Sequence, residues 1–203
     1  GSPGHGDIIL RNGRHLLALV DELLDVSRIE AGKLQLRIEE CSLPEIIGDV
    51  TAITAPMRRG KPVDYRVVFL TDIPKTIRTD RLRLTQALIN LVNNAIKFTA
   101  QGSIELRIRV ERDGPEPRLT IEVEDTGPGI RVEDQERIFE SFAQIDPVSR
   151  GASAGAGLGL PIAKSIAERL GGSLGIESHY GSGSCFRLKL ITGPLENVEW
   201  WER

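Results

Sequence analysis

The chain has 203 residues, with 26 Lys plus Arg against 29 Asp plus Glu, three histidines and two cysteines. That length supports a sizeable core split between two unequal units, and balanced charge without a basic block excludes nucleic acid as the main partner. No apolar run approaches the roughly twenty residues that cross a bilayer, no signal peptide is visible, and Cys41 and Cys185 lack metal-ligand spacing. This composition implies a reducing, cytoplasmic setting, with any membrane attachment in sequence outside this chain.

Residues 1–6 read as a cloning remnant and frayed end, His5 included. From Asp7 to about Lys33, Ile9, Leu16 and Leu23, and likewise Leu10, Leu17 and Leu24, recur seven apart, with Val20 and Ile29 between. This spacing predicts a helix whose apolar face is too wide for one neighbour. It either pairs with an upstream helix and a second copy of itself, as in a dimeric four-helix bundle, or folds back on the larger unit. His15 reads as a rim histidine. Leu34, Leu36 and Ile38 then alternate as a strand. Ser42 with Glu45 three residues on, and Pro44 between, is a capping box opening a helix with the stripe Leu43, Ile46, Ile47, Val50, Ile53 and Met57. After the turn at Gly60-Lys61-Pro62, residues Val63 to Leu70 form a strand, and Ile73 to Thr79 a connector.

Asp80 is placed to N-cap the next helix, Arg81 to about Phe98, whose core face is Leu84, Ala87, Leu88, Leu91, Val92, Ala95 and Ile96. Beside that face runs a polar line of Gln86, Asn90, Asn94 and Lys97. Asparagine is a poor helix former and a solvated face normally uses Glu, Lys or Arg. The amides are therefore either oxygen ligands for a hard cation such as Mg²⁺, with Lys97 reaching phosphate, or a plain hydrogen-bonding face.

Ser103 to Val110 alternates as a strand, and Leu119, Ile121 and Val123 alternate in the next one, which puts Asp125 on the inward face. A desolvated carboxylate needs a donor. The choices are a local turn, which Asp125-Thr126-Gly127 suits and which is the better reading on this strand alone, or the exocyclic amine of a purine. A second glycine cluster, Gly155-Ala156-Gly157-Leu158-Gly159-Leu160, leads into a helix faced by Ile162, Ala163, Ile166, Ala167 and Leu170, with Pro161 in its first turn. The two clusters bracket a long polar segment with one short helical pattern near Val132 to Phe139. The pair suggests a phosphate cradle under a lid, the plain alternative being a hinge before a core helix. Leu174 to Ile176 and Phe186 to Leu190 are strands joined by the turn Gly181-Ser182-Gly183, and Trp200 and Trp201 either cover a sheet edge or begin a linker.

Four stretches carry a resemblance in order and spacing. Asn90 to Thr99, Asp125 to Gly129, Arg137 to Phe142 and Gly155 to Leu160 resemble the N, G1, F and G2 boxes of sensor histidine kinases, and Leu23 to Lys33 resembles the second helix of that family's dimerisation domain with its exit linker. The resemblance implies a two-layer α/β (α+β) sandwich, the Bergerat ATP-binding fold, with a mixed sheet packed on helices. It divides the chain into a partial dimerisation helix over 7–33, a catalytic domain over 34–192 and a tail or linker over 193–203. Its implied ligands are ATP and Mg²⁺: Asp125 accepting from the adenine amine with Ser184 in support, Asn94 holding Mg²⁺ with Asn90, and Lys97 contacting phosphate. Phe98 and Ile130 would line the pocket, Gly127, Gly129, Gly157 and Gly159 would let backbone and lid close on the nucleotide, and Gly155, Leu158 and Leu160 would also contact it. Phe139 and Phe142 would anchor the lid. Its implied partners are the protein's own dimerisation helices, in a homodimer, and the receiver domain of a response regulator.

Two departures bear on activity. Ala156 stands where the family usually has Thr, with Arg150 as a candidate for compensating charge, and none of His5, His15 and His179 has the His-Glu/Asp setting of a phosphoacceptor. The expectation is a protein-histidine kinase domain acting on a histidine supplied by a first helix outside this chain. The alternatives are a hydrolytic ATPase of the same fold and a non-catalytic nucleotide-sensing scaffold.

Overall fold

The computed structural model describes residues 13, 16, 17, 20, 23–25, 27, 28, 31, 34–112, 116–143, 156–196 and 198–201. The described residues between 13 and 28 are helical, as their heptad spacing predicts, and the stripe residues Leu16, Leu17, Val20, Leu23 and Leu24 are exposed.

Next come β1 (Glu39–Ser42), α1 (Leu43–Thr54), β2 (Val63–Phe69), β3 (Ile73–Pro74), β4 (Thr76–Thr79), α2 (Arg81–Phe98), β5 (Gly102–Glu111) and β6 (Arg118–Asp125). The chain continues through α3 (Gly159–Arg169), β7 (Ser173–His179), β8 (Gly183–Ile191) and β9 (Trp200–Trp201). One five-stranded sheet runs in the order β2, β5, β6, β8, β7, with β2 parallel to β5 and the other neighbours antiparallel. The helices pack on one face of that mixed sheet, giving the two-layer α/β sandwich the resemblance implied.

Both capping residues act as the sequence indicates. Ser42 accepts the Glu45 N–H at 3.3 Å, while the Glu45 carboxylate pairs with Arg81 at 2.6 Å instead of folding back on the cap. Asp80 accepts the Arg83 N–H at 3.0 Å with one oxygen and the Arg37 N–H at 2.8 Å with the other, so one carboxylate starts α2 and ties down the chain entering β1. Asp80→Ala should therefore lower stability by about 1–2 kcal/mol, checked as a shift of the urea unfolding midpoint at constant slope.

All seven apolar positions expected on α2 are buried. The stripe of α1 departs from expectation. Ile53 is exposed because the buried face of α1 runs Leu43, Ile46, Ile47, Val50 and Thr54, which leaves Ile53 beside it; Met57 is exposed because Ala55–Arg58 tightens into a 3-10 turn at Pro56 and rotates it outward. The strand read at Leu34 to Ile38 begins only at Glu39, where Thr79 first offers a partner. The segment read as a connector is two strands, β4 pairing with β1 and β3 with β9. Trp200 and Trp201 are that β9 edge, with Arg112 stacked on Trp200 and Phe69 edge-on to Trp201.

Candidate functional site

On the inward face of the sheet, Leu106, Val123, Phe186 and Ile176 lie in register, and the next row two residues along is Ile104, Asp125, Ser184 and Ser178. An apolar floor thus turns polar at one end. Asp125 is 6% exposed, and its Oδ1 accepts the Gly127 N–H at 2.8 Å, so the local turn exists. No side chain among the described residues donates to either carboxylate oxygen. Burial pushes this carboxyl up to about 6; the backbone N–H groups of Gly127 and Ser184 pull it down, and the charge of Glu124 adds to the rise.

The rest of the polar row fastens the turn after Asp125. Ser178 Oγ accepts the Ile130 N–H at 2.8 Å and donates to the Gly183 carbonyl at 2.9 Å. Its proton being used there, the 3.0 Å contact with Ser184 takes a hydrogen from Ser184. Gln135 donates to the carbonyls of Ile130 and Ser178, and the Gly181 N–H donates to the Pro128 carbonyl. Gly129 (φ +68) sits so close that a Cβ there would lie 2.0 Å from the His179 carbonyl oxygen. At Gly127 a Cβ would lie 2.7 Å from Asp125 Oδ1 and 3.3 Å from the Phe98 carbonyl oxygen.

Helix α2 forms one wall. Asn90 donates to the Gly159 carbonyl at 3.1 Å, tying α2 to the first turn of α3 and leaving its Oδ1 as an acceptor. Asn94, one turn on and half-buried, has no hydrogen-bond partner among the described residues. Lys97 lies with its ammonium 4.9 Å from the Phe98 ring centroid, and burial lowers its pKa. Gln86 leaves the expected line of four: it donates to Asp25 at 2.7 Å and accepts from Arg83, so it faces the N-terminal helical segment.

At the second glycine cluster, Gly157 (φ +72) accepts the Phe142 N–H at 3.1 Å, and a Cβ on it would lie 2.8 Å from the Ala143 carbonyl oxygen. Phe142 itself holds φ 67, a conformation L residues rarely adopt. Leu158 is fully buried and Leu160 and Ile130 pack against the core, so any ligand contact from Leu158 falls to its backbone. Gly159 begins α3, whose first N–H groups carry no side-chain cap. Phe139 packs on the core with Lys164 over its ring, while Phe142 is exposed. Arg150 and Gly155 lie outside the described residues, as does the rest of the expected lid over 144–154.

The donors suit a hard cation: two amide oxygens, Asn90 Oδ1 and Asn94 Oδ1, one helical turn apart, with Asn90 oriented through Gly159. Ser178, Gln135 and Thr126 were not singled out by sequence reasoning. Ser178 was legible in principle, since the Gly181-Ser182-Gly183 turn puts it across from Ser184. Thr126, whose Oγ1 accepts the Ser103 N–H at 2.9 Å, carries no such signal.

A mixed sheet under a helical layer, with a buried carboxylate and two glycine turns at one end, defines the ATP-binding α/β sandwich class. Residues 79–193 match the family described as histidine kinase-, DNA gyrase B-, and HSP90-like ATPase, and the chain belongs to it. Its relatives are sensor kinases, so within that family it is the ATP-binding catalytic domain of the two-component type. It is 41% identical over 194 residues to the sensory/regulatory protein RpfC of Xanthomonas campestris pv. campestris, covering 93% of this chain and 27% of that protein. It is 38% identical over 195 residues to the autoinducer 2 sensor kinase/phosphatase LuxQ of Vibrio cholerae, covering 96% of this chain and 22% of that protein. The full-length ShkA structure in complex with AMPPNP superposes with a TM-score of 0.78 at 31% identity, over 90% of this chain and 37% of that one. The chain thus spans roughly a quarter of the length of these curated relatives. No helix among the described residues is long and apolar enough to cross a membrane.

Proposed function

We propose that the chain binds ATP with Mg²⁺ at the polar end of the sheet and that the intact protein transfers the γ-phosphoryl group to a histidine on a dimerisation helix. The buried Asp125 carboxylate, held from one side by the Gly127 N–H and approached by no side-chain donor among the described residues, carries this reading. A purine amine is the donor that would justify its desolvation. Ser184 stands beside it in the same row, and Phe98 and Ile130 border that end.

At the other end, Asn94 and Asn90 would hold Mg²⁺, which neutralises charge on the phosphates when bound. Lys97 adds a cation, and the uncapped N–H groups at the start of α3, with Gly157 and Gly159, suit phosphate oxygens. Arg150 and Gly155 join this set as proposals from sequence alone. In the transfer the bridging P–O bond of ATP breaks as an N–P bond forms to imidazole, and the protein's work is positioning and charge stabilisation. Relay to a response regulator receiver domain, action as a homodimer and a cytoplasmic site of action complete the proposal.

A hydrolytic ATPase needs a base for water. Asn90 is an amide whose nitrogen is committed to Gly159, and it cannot take a proton. A nucleotide-sensing scaffold draws support from Ala156, which offers no hydroxyl beside Gly157. Incubation with γ-labelled ATP and a separately supplied first-helix fragment separates the three. Label on histidine supports the kinase, free phosphate alone the ATPase, and binding without either product the scaffold.

The carboxyl also sets a pH dependence. An amine donates to the ionised form, so ATP affinity should be level above the Asp125 pKa of about 6. Below it, affinity should weaken about tenfold per pH unit. Fluorescence titrations across that range check this, and Asp125→Asn should flatten the profile.

A further inference from the structure

The turn at Gly60-Lys61-Pro62, between α1 and β2, makes no hydrogen bond to the side chains of the described residues assigned to the nucleotide, yet it is bonded to the backbone of both elements that frame Asp125. The Lys61 ammonium donates to the carbonyls of Ile96, Lys97 and Thr99 at the C-terminal end of α2, the Ile96 contact being the shortest. Three donors meet three carbonyls that the helix itself leaves unpaired, and a cation sits where the helix dipole is negative. Between the bonded carbonyls of Lys97 and Thr99 in the chain lies Phe98 O, not itself bonded by Lys61, against which Gly127 packs closely enough that a Cβ would come within 3.3 Å. The Gly127 N–H in turn holds Asp125 Oδ1.

The next residue reaches the same turn from the opposite side. Pro62 O accepts the Gly102 N–H, Gly102 packs against Thr126 Oγ1, and Thr126 N–H donates to Ser103 O at 3.1 Å. One three-residue turn therefore braces the Asp125-Thr126-Gly127 corner both through the end of α2 and through the start of β5.

We infer that Lys61 is a positioning residue for nucleotide recognition: by fixing the C-terminal carbonyls of α2 it sets the wall behind Gly127 and so the aim of the Asp125 carboxylate. This rests on the reading of Asp125 as the adenine ligand. Methionine at 61 keeps the length of the side chain and removes its donors, leaving the carbonyls to water and the helix end free to drift. Arginine restores a cation with several donors.

The test compares Mg·ATP with Mg·ITP, which lacks the 6-amine, on the whole chain at a temperature where circular dichroism shows every variant folded. Lys61→Met should weaken ATP binding about tenfold and ITP binding little, shrinking the ratio between them, and Lys61→Arg should restore most of that ratio. A simple helix cap would lower the melting temperature and leave the ATP-to-ITP ratio at its wild-type value. That outcome overturns the inference while the Asp125 reading stands. If the wild-type chain itself does not distinguish ATP from ITP, the Asp125 reading falls and the inference with it.

Discussion

Asp125→Asn should cost the chain about a hundredfold in ATP affinity and at the same time make the ligand-free protein more stable at neutral pH. The first effect follows from removing the acceptor that a purine amine would use, and placing an amide nitrogen in the pocket instead. The second follows from burial. This carboxyl stands at about 6 in the folded chain against an ordinary 3.8, so the folded state holds its proton more tightly than the unfolded one. Stability is accordingly unaffected below about 3.8, falls as pH rises between those two values, and stays lowered above them, by on the order of 3 kcal/mol. Asparagine removes the titration while its oxygen still accepts the Gly127 N–H. Melting curves should show the variant above wild type at pH 7.5, with the gap closing as pH drops toward 4. A variant less stable than wild type at pH 7.5 would contradict this.

Gly129→Ala should be among the most damaging single methyls around the Asp125 corner, alongside Gly183→Ala. The new Cβ would stand 2.0 Å from the His179 carbonyl oxygen, 2.7 Å from its carbon and 3.1 Å from the Gly183 carbonyl oxygen, all backbone atoms of the β7–β8 hairpin. With φ at +68 the residue also sits where an L side chain costs about 1–2 kcal/mol by itself. Relief requires lifting the Gly127 to Ile130 turn off the hairpin, which breaks the Ile130 to Ser178 and Gly181 to Pro128 hydrogen bonds. A loss of about 3–5 kcal/mol, read by chemical denaturation, is the expected result. Gly60→Ala is the control: its φ of +80 carries the same backbone cost, but nothing lies within 4 Å of the added carbon, and it should lose about 1–2 kcal/mol.

What the sequence disclosed depends on how far each signal reaches along the chain. The α2 stripe, its Asp80 cap and the inward placement of Asp125 follow from periods of a few residues, and all three are seen in the structure. The same local logic misplaced Ile53, where Thr54 takes the buried position, and Met57, because Pro56 changes the helical pitch after Thr54. β3 and β4 were illegible for another reason. Their partners, β9 and β1, lie far away in the sequence, and two- and four-residue strands carry too few positions for alternation to register.

At the site, the chemistry-bearing types stood out and their supports did not. Asp125, Asn90 and the two glycine clusters are unusual where they occur. Ser178, Gln135 and Thr126 are ordinary polar residues until the hairpin and the β5 start bring them to the Asp125 turn. Gln86 shows the converse: its spacing matched Asn90 and Asn94, yet it is claimed by Asp25 of the N-terminal helical segment and by Arg83 one turn back on α2. Helical spacing fixes direction, and only the tertiary neighbours decide which of several aligned amides is left free for a ligand.

The most direct measurement is isothermal titration of the purified chain with ATP, in magnesium and again in EDTA. Saturable one-to-one binding that weakens sharply when magnesium is chelated is the predicted result. Heats indistinguishable from dilution in both buffers would contradict the assignment of this sheet end to the nucleotide.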